Sequence, residues 1–152
     1  MPEVVFGLGK TAPQITEIVK ALQGAGQSAL ATRVEPEVAE KVLAEIPGGD
    51  YERASRLLWF GDAEVPIVGK GRVAVVSAGT ADPPAAAEAV GVSRRFGNET
   101  EWLKDVGVAG LHRLLSSVEA LREARILIVV AVHMMATPLK PASRHLQYVQ
   151  YV

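Results

Sequence analysis

The sequence RVAVVSAGTAD at residues 72–82 decides the predicted fold. Its first half is the apolar, β-branched run that is typical of a parallel strand buried on both faces of a sheet. Its second half is a tight turn around Gly79, and an alanine-rich helix is predicted to follow at residues 85–96. A strand, a turn and a helix in this order begin a strand–helix–strand unit, so we predict an α/β fold.

The same alternation extends in both directions along the chain. Downstream, the pattern predicts a strand at 99–103, a turn at 105–110, a helix from 111 to about 124 and a strand at 125–132. Upstream, it predicts strands near 4–6, 29–32 and 53–60, a helix between Thr11 and Gly24, and a helix at 35–46. Residues 61–72 contain glycine, proline and aspartate and are predicted to connect two lobes.

The composition argues against several classes of protein. The 152 residues are 49% hydrophobic and 22% charged with a net charge of -1, so nothing indicates binding to nucleic acid or to an anionic membrane. No apolar run approaches the roughly 20 residues of a membrane span, and the first residues do not resemble a signal peptide. Three scattered histidines and no cysteine give no metal-ligand spacing. We therefore expect a cytoplasmic protein without a protein-built metal site.

The first candidate binding site is the turn SAGTAD at residues 77–82. Ligands of open parallel sheets bind beyond the carboxyl ends of the strands, which is where this turn is predicted to lie. Gly79 would allow the backbone to approach a ligand, Thr80 offers a hydroxyl, and Asp82 could accept hydrogen bonds from a ribose. The start of the following helix suits a phosphate. The alternative interpretation is that Thr80 or Asp82 only caps that helix.

The second candidate site is the turn DVGVAG at residues 105–110, which precedes His112 and Arg113. Gly107 and Gly110 would again let the backbone approach a ligand. Arg113 could pair with a phosphate or a carboxylate through two hydrogen bonds, and His112 could serve as an acid, a base or a donor. The alternative interpretation is the start of a helix that carries a histidine and an arginine on its surface.

The residues of both turns resemble the two leading motifs of the LarB family. These proteins are nickel-pincer-cofactor synthases related to the AIR carboxylase (PurE) superfamily. The similarity lies in VVSAGTADPP at residues 75–84 and DVGVAGLHR at residues 105–113. PEVVFGLGKT at residues 2–11 and LATRV at residues 30–34 resemble the N-terminal lobe of the family. The resemblance covers about residues 1–131.

The resemblance implies a domain organisation and an assembly. A small α/β lobe is expected at residues 1–66, and a flavodoxin-like, three-layer αβα domain of the PurE type is expected at residues 70–138, incomplete at its C-terminus. Residues 139–152 are expected to be a divergent tail. Members of the superfamily form multimers, and a sheet that stopped after three strands would leave an unpaired edge, so we expect a homo-oligomer.

The resemblance also implies an activity. Members carboxylate the pyridine ring of nicotinic acid adenine dinucleotide with CO2 or bicarbonate and hydrolyse its phosphoanhydride, with Mg2+ as the suspected cofactor. No catalytic residue is assigned in this chain. The residues expected to bind the phosphate and ribose of the substrate are Ser77, Gly79, Thr80, Asp82, Asp105, Gly107, His112 and Arg113.

Two departures from the family pattern leave the function open. Met134 stands where the family carries a carboxylate, and the chain lacks the cysteine with which the family attacks the pyridine ring. Whether the chain is an enzyme is therefore undecided. The alternatives are a LarB-like carboxylase that these departures would inactivate, an enzyme of purine biosynthesis like AIR carboxylase or the related carboxyaminoimidazole ribonucleotide mutase, and a non-catalytic module that binds nucleotide phosphates.

Overall fold

Two four-stranded sheets, with helices packed on them, form the fold in the computed structural model, which describes residues 3–77, 83–106, 111–130 and 149–151. One sheet takes its strands from residues 3–60 and the other from residue 72 onward. Helices and strands alternate along most of the chain, so the predicted α/β class is confirmed. None of the described helices is long and apolar enough to cross a lipid bilayer.

The first sheet belongs to the N-terminal part of the chain. Its strands are β1 (Glu3–Phe6), β2 (Ala29–Thr32), β3 (Asp50–Glu52) and β4 (Leu57–Phe60). They lie in the order β1-β2-β4-β3, with β1 parallel to β2 and β4 antiparallel to both of its neighbours. Helices α1 (Ala12–Gly24) and α2 (Pro36–Glu45) contribute apolar side chains such as Ile15 and Val42 to the core on one face of this sheet.

The predicted strand at 53–60 is wrong in its first half. Residues 53–56 form a turn instead, and Asp50–Glu52 pairs antiparallel with Leu57–Phe60 to make a hairpin. Arg56 adopts a left-handed conformation with φ of 55°, and the Ser55 hydroxyl donates to the carboxylate of Glu52 at 2.5 Å. A left-handed residue interrupts an extended strand, so the chain turns before Leu57.

The second sheet contains the stretch from which the fold was predicted. Its strands are β5 (Arg72–Ser77), β6 (Thr100–Leu103), β7 (Ala124–Val130) and β8 (Val149–Tyr151). They lie in the order β6-β5-β7-β8, with the first three parallel to one another. Along the chain this is a second–first–third order, with which flavodoxin-like sheets begin. The three-layer, flavodoxin-like arrangement itself stays a prediction.

Two expectations about this half of the chain are wrong. The helix expected from residue 111 to 124 is divided at Ser117 into α4 (Leu111–Ser116) and α5 (Val118–Glu123). Consecutive serines explain the break, because their hydroxyls compete for backbone hydrogen bonds inside a helix. The edge of β7, expected to be unpaired, is paired antiparallel with β8. Residues 139–148 and 152 of the tail lie outside the described residues, and self-association stays a prediction.

Helix α3 (Pro83–Arg95) packs against both sheets. One side places Ala86 and Val90 against the buried valines of β5. The other side places Val92 against the apolar cluster around Trp59 of β4. A Cβ atom at Gly91 would overlap the side chain of Leu57, so a larger residue there would require Leu57 to shift. The helix therefore joins the two halves of the molecule.

Ion pairs reinforce the contact between the halves. Arg33, which follows β2, pairs with Glu88 of α3 at 3.1 Å. Arg95, at the end of α3, pairs with Asp50 at 2.6 Å, and its guanidinium lies 5.1 Å from the centre of the Trp59 ring. All of these charges are partly exposed, so each pair contributes only a modest stabilisation, and the buried apolar contacts dominate.

Tyr51 makes the stability of the first lobe sensitive to alkaline pH. Its hydroxyl donates to the backbone oxygen of Val34 at 2.8 Å, and burial raises the pKa of Tyr51 above its ordinary value of 10.0. The folded state therefore holds the phenol proton more tightly than the unfolded chain, so this stability is fully present below the unfolded pKa and is lost as pH rises.

We expect the free energy of unfolding of Tyr51→Phe to fall less steeply at alkaline pH than that of the wild-type protein. Urea unfolding at pH steps between about 9 and 11 should show a steeper fall for the wild-type protein than for the variant. At neutral pH the variant should lose only its hydrogen bond, about 1 kcal/mol. Lysine titration is common to both proteins, so it cannot cause a difference between them. Equal slopes of the free energy of unfolding against pH would contradict the proposed role of the phenol.

Candidate functional site

The carboxyl ends of three parallel strands meet at one edge of the second sheet. β5 ends at Ser77, β6 at Leu103 and β7 at Val130, and the pairing aligns these ends within one residue. The two candidate turns follow β5 and β6 directly, so both start from this edge. The order of the strands reverses at β5, since β6 and β7 lie on its two sides, and ligands of open α/β sheets bind at such a point.

Ser77 connects the two candidate turns. Its backbone oxygen accepts a hydrogen bond of 2.9 Å from the backbone N–H of Val106, which lies in the second turn. Its hydroxyl oxygen accepts a hydrogen bond of 3.1 Å from the indole N–H of Trp102 on β6. The serine itself is 3% exposed. The last residue before the first turn is therefore in direct contact with the second turn.

The chain reverses direction at Asp105 to make this contact. Asp105 has a φ of 59°, in the left-handed region that aspartate tolerates better than most residues do. The residue after it, Val106, is buried and turns its N–H back toward Ser77. The first two residues of the second turn thus lie against the end of β5.

The structure locates only some of the predicted site residues. Ser77 and Asp105 lie at the shared edge, buried and exposed respectively. His112 is exposed in the first turn of α4 and is followed by Arg113, whose side chain lies outside the described part. The predictions for Gly79, Thr80, Asp82 and Gly107, and for Met134, concern residues that lie outside the described residues.

Sequence reasoning missed two side chains at this edge. The ring of Trp102 is half-buried, and its N–H donates to the hydroxyl oxygen of Ser77. The ammonium of Lys104 lies 4.0 Å from the centre of that ring and adds a positive charge near the two turns. The signal was the alternation of a strand, which places residues 102 and 104 on the same face.

A groove in the described part of the molecule lies beside this edge rather than on it. It has a volume of about 640 Å3 and runs along β6 between α3 and the turn after β3. Near the start of β5 its charges are already paired, because Arg72 contacts Glu99, Glu101 and Glu123 at 3.3 Å each. The groove meets the candidate site only at Trp102 and Lys104.

The described residues do not build a site for a metal ion. Among them, no group of three histidine, aspartate or glutamate side chains is close enough to hold one. Asp105 is the carboxylate that they place at the shared edge. Mg2+ often binds through one or two carboxylates together with the phosphates of a substrate, so a fully protein-built cage is not required.

Two comparisons relate the chain to known proteins. A family described as the LarB/PurE-like N-terminal domain matches residues 1–62, which contain the whole first sheet with α1 and α2. An uncharacterized protein of Methanocaldococcus jannaschii is 30% identical to the chain over 139 residues, a stretch that covers 87% of this chain and 54% of that protein. The chain therefore spans about half the length of this relative, and the matched stretch is long enough to include residues beyond the N-terminal domain.

Proposed function

Residues 1–62 match the LarB/PurE-like N-terminal domain, and from this premise we propose that the chain binds nicotinic acid adenine dinucleotide at the carboxyl edge of the second sheet. The observation that carries the proposal is the hydrogen bond from Val106 N–H to the backbone oxygen of Ser77. It places the start of the second glycine-containing turn against the end of β5, the strand that precedes the first such turn. A phosphoribosyl group would lie between the two turns.

The charge distribution at this edge favours an anionic ligand. Helix α3 begins at Pro83, directly after the first turn, so the positive end of its dipole lies at the carboxyl end of β5. A proline as the first residue of a helix removes only a donor that has no partner within the helix. Lys104 is exposed and lies close to the second turn. Together they suit a nucleotide phosphate.

The remaining contacts of the proposal come from residues that the sequence selected. Asp82 would accept hydrogen bonds from the ribose hydroxyls, and the backbone at Gly79 and Gly107 would approach the phosphate. Arg113, at the start of α4, would pair with a phosphate or with the nicotinate carboxylate. Mg2+, if bound, would neutralise the phosphates of the dinucleotide, with Asp105 as the protein carboxylate at this edge.

Carboxylation of the pyridine ring is the reaction that the family resemblance implies, as a step toward a nickel-pincer cofactor. The carbon of CO2 forms a bond to a ring carbon, and that ring carbon loses its proton. Water cleaves the phosphoanhydride and releases AMP. The described edge supports only the binding step of this sequence, so binding and turnover are tested separately.

Asp82→Ala is expected to weaken binding of nicotinic acid adenine dinucleotide. Loss of hydrogen bonds to a charged group costs about 1.5–3 kcal/mol, which corresponds to a loss of affinity of roughly tenfold or more. Isothermal titration calorimetry of the two proteins measures it. Asp62→Ala is the matched control, since Asp62 is an exposed aspartate in the connection between the lobes.

The outcomes separate the alternatives. An unchanged affinity in Asp82→Ala would mean that Asp82 only caps the helix, and no binding by the wild-type protein would contradict the proposed site. Incubation with labelled bicarbonate and Mg2+ then tests turnover. Label in the nucleotide supports ring carboxylation, whereas binding without label indicates a non-catalytic nucleotide-binding module. Release of CO2 from carboxyaminoimidazole ribonucleotide would indicate an enzyme of the purine type.

A further inference from the structure

Ser77 has its oxygen atoms engaged in contacts within the protein. The backbone oxygen accepts from Val106, the hydroxyl oxygen accepts from Trp102, and the residue is 3% exposed. A group that binds a ligand directly is usually more accessible than this. Through these two hydrogen bonds, Ser77 instead links β5 to β6 and to the turn after β6.

Trp102 is held in place from several sides. Its ring packs against the apolar cluster of Val73 and Val75, and the ammonium of Lys104 lies over the ring at 4.0 Å. In the strand pairing Trp102 lies opposite Val75, two residues before Ser77. The indole N–H therefore extends diagonally from β6 to Ser77, the last residue of β5. Ser77 itself has no paired residue on β6.

We infer that Trp102 and Ser77 are positioning residues, which fix the spacing of the two turns for the nucleotide without touching it. This inference rests on the proposed function and gives Ser77 a role different from the ligand contact expected from the family resemblance. The two hydrogen bonds on Ser77 act at the same point. One holds the start of the first turn to β6, and the other holds it to the second turn.

The effect on binding follows from geometry. A phosphoribosyl group gripped from both turns requires them at a fixed separation, and small displacements of positioned groups weaken such contacts strongly. Replacement of Trp102 by phenylalanine keeps an aromatic ring against the apolar cluster, removes the indole N–H and frees the hydroxyl of Ser77. The first residues of the turn can then shift relative to the second turn.

The test is a double-mutant cycle on affinity for nicotinic acid adenine dinucleotide. Trp102→Phe removes the donor, and Ser77→Ala removes the acceptor. We expect each single variant to bind roughly threefold to tenfold more weakly than the wild-type protein, which is the range for loss of one hydrogen bond. The double variant should bind about as weakly as either single variant, because both remove the same interaction.

Trp59→Phe is the matched control for the loss of an indole N–H. Trp59 is 4% exposed, and its N–H donates to the backbone oxygen of Asp62 at 3.0 Å, at the end of the first sheet. The chain contains two tryptophans, so this variant makes the same chemical change in the other half of the molecule. It should lower the melting temperature about as much as Trp102→Phe does, with unchanged affinity for the nucleotide.

Fluorescence adds a readout that general destabilisation does not change. In Trp59→Phe the emission comes from Trp102 alone, and the nucleotide should shift it. In Trp102→Phe the emission comes from Trp59 alone, and the nucleotide should leave it unchanged even at concentrations that saturate the protein. A melting curve for every variant establishes that it is folded before it is titrated.

Three results would overturn this inference. Trp102→Phe could bind the nucleotide as tightly as the wild-type protein, which would show that the hydrogen bond from Trp102 to Ser77 does not position the turns for binding. Ser77→Ala could bind far more weakly than Trp102→Phe, and the losses of affinity from the two substitutions could multiply in the double variant. That result would show that Ser77 touches the nucleotide. If the wild-type protein binds no nucleotide, the proposed function fails and the inference fails with it; in the first two results the proposed function stands.

Discussion

Phe60→Ala is expected to lower the free energy of unfolding by about 3–5 kcal/mol, a large part of the stability of a domain of this size. Phe60 is 1% exposed and heads the fully buried side chains by volume. It packs in the core between the first sheet and its two helices, with Val19 and Val42 among the members of that cluster. Truncation removes its apolar contacts and leaves a cavity that the surrounding strands can only partly close.

Phe6→Ala is the matched control for this prediction. Phe6 belongs to the same sheet but is 53% exposed, so its truncation should change stability by less than about 1 kcal/mol. Urea denaturation followed by circular dichroism measures both variants. Similar losses for the two phenylalanines would show that the core of the first lobe is not where the structure places it.

Val106→Pro is expected to weaken binding of nicotinic acid adenine dinucleotide by roughly tenfold or more. Proline removes the N–H that donates to the backbone oxygen of Ser77. It also acts on the preceding residue, because a residue before proline is pushed into extended conformations, whereas Asp105 has a φ of 59°. Both changes move the second turn away from the first.

Val68→Pro separates this effect from a general loss of stability. The N–H of Val68 donates to the backbone oxygen of Gly97 at 2.8 Å, in the connection between the lobes. The two variants remove the same kind of hydrogen bond from the same kind of residue and should each cost about 1–3 kcal/mol of stability. Only Val106→Pro should lose affinity in calorimetry. Equal affinity in both would contradict a binding site formed by the two turns.

The regular elements could be predicted where the pattern of side chains is local. The apolar run of β5 and the periodic faces of α1 and α2 are determined by neighbouring residues, and the structure has them close to the expected positions. The hairpin of β3 and β4 was mispredicted, since its turn contains a left-handed Arg56 and a hydrogen bond from Ser55 to the carboxylate of Glu52. The pairing of β8 with β7 depends on a contact between distant residues, which no local pattern reveals.

The location of the candidate site could be predicted from the sequence, but one of its contacts could not. Glycine turns after buried strands pointed to the carboxyl edge, and Ser77 and Asp105 are found there. The contribution of Trp102 could not be predicted, because the reach of its N–H to Ser77 depends on the relative register of β5 and β6. The ring of Trp102 packs against the core, while its N–H donates to the last residue of the neighbouring strand.

A crystal structure of the protein soaked with nicotinic acid adenine dinucleotide tests the central claim most directly. The account predicts a phosphoribosyl group between the turn that begins after Ser77 and the turn that begins at Asp105, with both hydrogen bonds on Ser77 retained. A nucleotide bound elsewhere, for instance along the groove beside β6, would contradict the account. So would a complex in which the two turns face away from any common cleft.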